Sequence, residues 1–205
     1  EDRANIAVNV EEQSTGEFSI AGGYSNIDGV LGNVKFVERN FRGRGQVVHS
    51  DLTVAKKRQE ISLGIVEPYF LDRRLSGSAD VFHTRSHRLS HYSHIMTGTN
   101  VGIGYKLTPS WGQGFGYSLK KESVTRLAAL VSPYIASQSG NYFTSALTHT
   151  ISYDHRNNPV RPTAGFMSSL STMYSGIGGN VYFLKNDLRT TFYYAPFEDI
   201  VVTLT

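Results

Sequence analysis

The sequence of 205 residues contains no cysteine, six prolines and no long hydrophobic run. No apolar stretch approaches the ~18–20 residues that a membrane-spanning helix needs, which excludes a helical membrane protein. The absence of cysteine excludes disulfides and thiol chemistry. A mean hydropathy of −0.26 suits a soluble protein. It equally suits a membrane β-barrel, because barrel strands alternate between apolar and polar residues and average to a polar composition.

Glycine and aromatic residues are abundant instead. The chain has 20 glycines, 12 tyrosines and 11 phenylalanines, which is typical of turn-rich β-structure. The net charge of +3 is a modest basic excess. The composition therefore favours an all-β protein.

The stretch Thr15–Ser25 shows the pattern most clearly, because its residues alternate with a period of two, which predicts a half-buried strand. Three glycines make it a weak strand, since glycine adds backbone entropy and no side-chain packing. One face carries Phe18, Ile20, Gly22 and Tyr24, and the other carries Glu17, Ser19, Ala21 and Gly23.

The same alternation recurs along the chain and predicts ten or eleven strands of about ten residues each, the length of a tilted membrane strand. It is cleanest from Trp111 to Leu119, where Phe115 and Tyr117 are expected on one face and Gly114 and Gly116 on the other. Only Val124–Ala136 has a possible helical period.

The predicted connections are short after the second, fourth and sixth strands and long around His83–His94 and Glu122–Tyr142. Long loops at one end and short turns at the other are typical of outer-membrane barrels. Basic clusters are then expected at the long-loop end, where they face an anionic outer leaflet or are simply solvated loop charges. These clusters are Lys56–Arg58, Arg85–Arg88, Lys120–Lys121 and Arg126.

The most specific stretch is Asp154–Gly165, in which two prolines and a glycine indicate a rigid turn. We expect Asp154 and Asn157 to cap backbone groups and Gly165 to adopt a conformation closed to other residues. The motif residues are Asp154, Arg156, Asn157, Pro159, Pro162, Thr163 and Gly165.

This turn, Asp-x-Arg-Asn-x-Pro-x-x-Pro-Thr-x-Gly, resembles the mid-barrel turn of the BamA-type outer-membrane protein assembly factors. Three other pieces resemble the same family in the same order along essentially the whole chain. They are Thr15–Phe18 after the acidic Val10–Glu12, the turn Asn40–Gly45, and Glu67–Phe70 at the end of the fourth strand.

The resemblance implies an antiparallel transmembrane β-barrel in the outer membrane of a Gram-negative cell. Residues 1–14 would end the last POTRA domain, and 15–205 would form the N-terminal strands of a sixteen-stranded barrel. About five strands and the Arg-Gly-Phe loop of the family are missing, so we expect a fragment.

The function implied is the folding and insertion of β-barrel proteins, which requires no enzyme activity, cofactor or nucleic acid. The first strand would act as the template edge of a lateral gate, with the lipid bilayer, nascent barrel clients and accessory lipoproteins as partners. The gate residues are Gly16, Glu17, Phe18, Ser19, Ile20, Ala21, Gly22, Gly23 and Tyr24. The alternatives are a porin-like or secretion-type barrel and a soluble β-sandwich.

Two other groups of residues give only weak indications of a functional site. His83, His87, His91 and His94 have the spacing of metal ligands on a helix, but their serine- and threonine-rich surroundings favour a loop. No metal site is predicted. Asp154-His155 lacks a nucleophile elbow and does not indicate a hydrolase.

Overall fold

The computed structural model describes residues 13–88, 92–126, 139–197 and 200–205. These residues form one antiparallel sheet of eleven strands whose order in the sheet follows the sequence. The strands are β1 (Gly16–Ser25), β2 (Gly29–Phe41), β3 (Gln46–Ala55), β4 (Arg58–Glu67), β5 (Leu75–Arg88), β6 (Tyr92–Lys106), β7 (Trp111–Arg126), β8 (Gly140–Asp154), β9 (Ala164–Ser175), β10 (Phe183–Phe197) and β11 (Ile200–Leu204).

The only helical element in these ranges is a 3-10 turn at Phe70–Asp72. None of the described residues belongs to a helix that is long and apolar enough to cross a membrane. The segment expected to end a POTRA domain lies, up to residue 12, outside the described residues. Most of the segment Val124–Ala136, for which a helical period was noted, also lies outside the described residues. Its first residues, Val124–Arg126, belong to β7.

The strand register confirms the predicted alternation. Phe115 lies opposite Ile103, and Gly114 lies opposite Gly104, so the apolar and the small side chains point to opposite faces. We call the face that carries Phe115 the outer face and the face that carries Gly114 the inner face. Outer-face residues in successive strands include Phe18, Val34, Leu52, Ile61, Val81, Val101, Tyr117, Leu147, Tyr174, Leu184 and Val202.

Neither face is covered by a second layer. Among the described residues, the buried apolar side chains are Ala55 and Ala146, whereas Ile20 is 71% exposed and Leu188 is 70% exposed. A soluble β-sandwich would have to bury one of these faces. An apolar face of this extent marks a surface that another apolar medium covers.

We call the end of the sheet that bears residues 42–45, 107–110 and 155–163 the lower end and the opposite end the upper end. An aromatic row lies on the outer face near the lower end. Ring centroids are 4.8 Å apart for Trp111 and Tyr153, 5.6 Å for Tyr153 and Phe166, and 5.7 Å for Phe166 and Phe192. Tryptophan and tyrosine favour the boundary between lipid and water.

The long connection predicted around His83–His94 was wrong, whereas the link between β7 and β8 still spans residues 127–139. β5 continues to Arg88 and β7 to Arg126, so His83, His87 and Lys121 lie in strands of 14 and 16 residues. The upper-end connections at 26–28 and 56–57 are short. The sequence indicates a strand only by its apolar alternation. The backbone pairing of these strands continues beyond the residues at which that alternation stops. The basic clusters keep their place at the upper end.

Candidate functional site

The first strand is an edge strand of the described sheet, because β1 pairs only with β2. The pairing runs without a bulge from Gly16 opposite Glu38 to Ser25 opposite Gly29. A sheet edge presents a row of backbone N–H and C=O groups that can pair with another strand. This edge is the candidate site.

One backbone bond shows which groups face outward along the edge. The N–H of Arg39 donates to the carbonyl oxygen of Thr15 at 3.1 Å. Hydrogen-bonded and non-hydrogen-bonded residue pairs alternate along antiparallel strands. The backbone groups of Glu17, Ser19, Ala21 and Gly23 therefore face β2. Those of Gly16, Phe18, Ile20, Gly22 and Tyr24 face the open edge.

The residues that face the edge with their backbone also carry the apolar side chains of the strand. Phe18 and Tyr24 are 64% and 74% exposed on the outer face, opposite Phe36 and Val30. A partner strand bonded at these positions would therefore add its own side chains to the apolar face.

Gly22 leaves the middle of the edge without a side chain on the outer face. It lies opposite Gly32, so neither strand has a side chain there. A Cβ at Gly22 would approach the Leu31 carbonyl oxygen no closer than 4.0 Å, and one at Gly23 would be 3.8 Å from the Leu31 side chain. Close packing does not demand glycine at either position. Their effect is the loss of side-chain contacts and the gain of backbone freedom.

Side-chain hydrogen bonds also join the lower end of β1 to β2. The guanidinium of Arg39 donates to the carboxylate of Glu17 at 2.8 Å. The hydroxyl of Thr15 donates to Glu38, whose carboxylate also accepts the N–H of Asn40 at 2.9 Å. These groups are exposed, so each bond contributes little stability. Together they fix the position at which the strand begins.

The turn between β8 and β9 is the second predicted site. The carboxylate of Asp154 accepts the N–H of Arg156 at 3.1 Å and two guanidinium bonds, from Nε at 2.8 Å and Nη2 at 2.7 Å. This carboxylate raises the pKa of the Arg156 guanidinium. The same guanidinium donates to the carbonyl oxygen of Pro159 at 3.3 Å and so ties the two sides of the turn together.

Asn157 closes the same turn. Its amide oxygen accepts the N–H groups of Thr163 at 3.1 Å and Ala164 at 3.2 Å, and its amide nitrogen donates to the Thr163 hydroxyl at 2.6 Å. Gly165 has a φ of +99°, and a Cβ there would overlap the carbonyl oxygen of His155. The expected conformation of Gly165 is confirmed. The contacts indicate a structural turn.

The structure does not bring the two predicted sites together, because seven strands separate β1 from the turn after β8. The histidine cluster is divided as well. His83 contacts Thr97 on the outer face, and His94 contacts Glu122 on the inner face. In the described ranges no three His, Cys, Asp or Glu side chains are placed to hold a metal ion. His91 lies outside those ranges.

Comparisons with known proteins agree with this fold. The profile of the Omp85 superfamily domain matches residues 40–205. Proteins named outer membrane protein assembly factor BamA from Neorickettsia risticii and Nitratidesulfovibrio vulgaris are each 24% identical to the chain, over 96% and 90% of its length. The chain spans about a quarter of these relatives, 27% and 24%.

The fold also matches a solved structure. The crystal structure of BamA from Haemophilus ducreyi lacking POTRA domains 1–3 superposes with a TM-score of 0.67 at 16% identity. The match covers 92% of this chain and 39% of that one. It shows the same strand architecture.

Proposed function

Because this chain belongs to the Omp85 superfamily, we propose that it forms the N-terminal strands of an outer-membrane β-barrel that folds and inserts other barrel proteins. The observation that carries the proposal is the edge of β1, whose outward backbone groups coincide with its apolar side chains. The two relatives named assembly factors support the same function. The lipid-facing surface of the barrel is the outer face.

The chemistry is non-covalent. A nascent barrel strand carries N–H and C=O groups that cost several kcal/mol each when they enter hydrocarbon unpaired. The β1 edge offers matching groups at Gly16, Phe18, Ile20, Gly22 and Tyr24. Pairing there removes the cost by adding a strand to an existing sheet edge.

The edge must also be able to exchange partners. In a closed barrel β1 would pair with a closing strand, and a client can bind only where that seam opens. The bare stretch at Gly22 and Gly23 removes side-chain contacts from the middle of the seam and lowers the free energy of opening. The bonds of Thr15 and Glu17 hold the lower part of β1 to β2 meanwhile.

Two further parts of the proposal concern the protein beyond the described strands. We place the end of the last POTRA domain at residues 1–14 and expect accessory lipoproteins as partners. The protein is not expected to be an enzyme. The turn at Asp154–Gly165 is proposed to hold β8 and β9 in register and to have no contact with the client.

Site-specific crosslinking in the full-length protein tests the proposal. A cysteine at Ser19 or Ala21 should crosslink to a cysteine in the C-terminal strand of an arriving client. A cysteine at Asp51 is the matched control, because it lies in the same register row as Ser19 on the inner face, two strands from the edge and about 10 Å away. It should not crosslink.

A disulfide between β1 and the closing strand provides a second test. The disulfide should stop the assembly of clients, and a reductant should restore assembly. Full assembly activity with the seam locked would contradict the template mechanism and leave a passive pore or a secretion-type barrel as the function.

A further inference from the structure

The outer face has a trough in its upper half, along β6. Thr97 and Thr99 are short, whereas the facing side chains of β5 and β7 are long. The trough has a volume of about 620 Å³. It is lined on the two sides by Val81, His83, Leu119 and Lys121.

The trough is amphipathic along its length. Val81 and Leu119 flank Thr99 in the lower register row, and His83 and Lys121 flank Thr97 in the row above. His83 Nδ1 is hydrogen-bonded to the Thr97 hydroxyl at 2.7 Å, which holds the imidazole at the upper end of the trough. The lower part suits an alkyl chain and the upper part an anion.

The positive charge at the top is not neutralised by the protein. Neither Lys121 nor Arg85, which lies one position above His83 on the same face, has an ion-pair partner among the described residues. The inner face differs, because Lys120 lies 3.0 Å from Glu122. On the outer face, the described positions of β5 to β8 carry no carboxylate. The charge is therefore available to a ligand.

The height of the trough matches a lipid headgroup. Ten residues separate Trp111, in the lower aromatic row, from Lys121. At ~3.4 Å per residue the distance is about 34 Å along the strand, and a tilt of about 40° reduces it to about 26 Å across the membrane. The apolar band of an outer-membrane barrel is about 25 Å tall. Lys121 therefore lies at the upper boundary, where phosphates lie.

We infer that this trough seats an anionic, phosphate-bearing lipid of the leaflet at the upper end of the sheet. One acyl chain lies over Thr99 between Val81 and Leu119, and the phosphate accepts hydrogen bonds from Lys121 and His83 with Arg85 above them. A lipid supplies both the alkyl chain and the anion that the two halves of the trough require. The inference does not depend on the assembly function.

Photolabelling of the full-length protein in nanodiscs tests the site. The probes are phosphatidylglycerol and phosphatidylcholine with the same photoreactive acyl chain. Phosphatidylglycerol should label the peptides that contain Thr97 and Leu119, with a yield about fivefold above that of phosphatidylcholine, since one basic residue near a lipid surface has about that effect. Lys121→Gln should reduce the ratio to near one.

Two variants distinguish binding at the trough from a general effect of charge or of misfolding. Lys120→Gln makes the same change on the inner face and should leave the ratio as in the wild type. Lys121→Arg keeps the charge and should retain the preference, which shows that the barrel is folded and the trough intact. Equal labelling by both lipids in the wild-type protein, or an unchanged ratio in Lys121→Gln, would overturn the inference.

Discussion

The imidazole of His49 and the carboxylate of Asp80 lie 3.3 Å apart on the inner face, although β4 separates their strands. Gly64 stands between them in the register row. Because glycine has no side chain, the two groups meet above its backbone. A Cβ at this position would overlap both partners. The contact joins β3 and β5 through side chains, across the backbone of β4.

Gly64→Val should therefore destabilise the barrel by about 1–3 kcal/mol, the usual cost of overpacking a filled site. Gly32→Val is the control, since a Cβ at Gly32 would meet no atom within 4 Å. Denaturant unfolding of the full-length protein in detergent measures both free energies of unfolding. Equal stability of the two variants would show that the space above Gly64 is not needed.

Proline distinguishes the two hydrogen-bonding sides of β1. Ile20→Pro removes an N–H that faces the open edge and spares the bonds to β2, so client assembly should fall while the barrel still inserts. Ser19→Pro removes an N–H that faces β2 and should lower the folding yield itself. Assembly rates and the fraction of folded barrel report the two effects. Normal assembly by Ile20→Pro would exclude the edge as the template.

Phe115→Arg should lower the free energy of unfolding by about 2–4 kcal/mol, the cost of a cation near the midplane of the lipid. The residue lies on the outer face, where its ring stacks on His149 with centroids 4.8 Å apart. Phe115→Leu should be mild. Spin labels provide a direct measurement, because a label at 115 should be accessible to lipid-soluble oxygen and one at Gly116 should not. Equal accessibility would contradict the assignment of faces.

Gly165→Val should impair folding, because the backbone conformation disfavours side chains and the Cβ would overlap His155. Val160→Ala in the same turn should have little effect, since Val160 is 86% exposed. Refolding yield into detergent compares the two. A wild-type yield for Gly165→Val would mean that the turn can rearrange.

The sequence was sufficient for the faces of the sheet but not for the length of its strands. Alternation at Trp111–Leu119 requires one apolar and one small face, and the register confirms both. Near Lys121 and His83 both faces reach polar surroundings, so the alternation disappears while the backbone pairing continues. The strand ends could not be predicted for this reason.

Contacts that depend on register could not be predicted either. The direction of each N–H in β1 follows from the bond between Arg39 and Thr15, and no side-chain pattern records it. The approach of His49 to Asp80 requires three strands to align at Gly64. The turn at Asp154 was more accessible to prediction, because its bonds join residues close in the chain.

The alternation of bonded positions along β1 has a consequence for what the edge can recognise. β1 runs from the lower end to the upper end. A client strand that pairs with it in an antiparallel manner must therefore run from the upper end to the lower end. Its residues opposite Phe18 and Ile20 must be apolar. A register shift of one residue would move all of its apolar side chains from the outer face to the inner face. In the proposed template mechanism, the edge selects the direction and the register of an incoming strand, and it can accept any sequence that has the same apolar alternation.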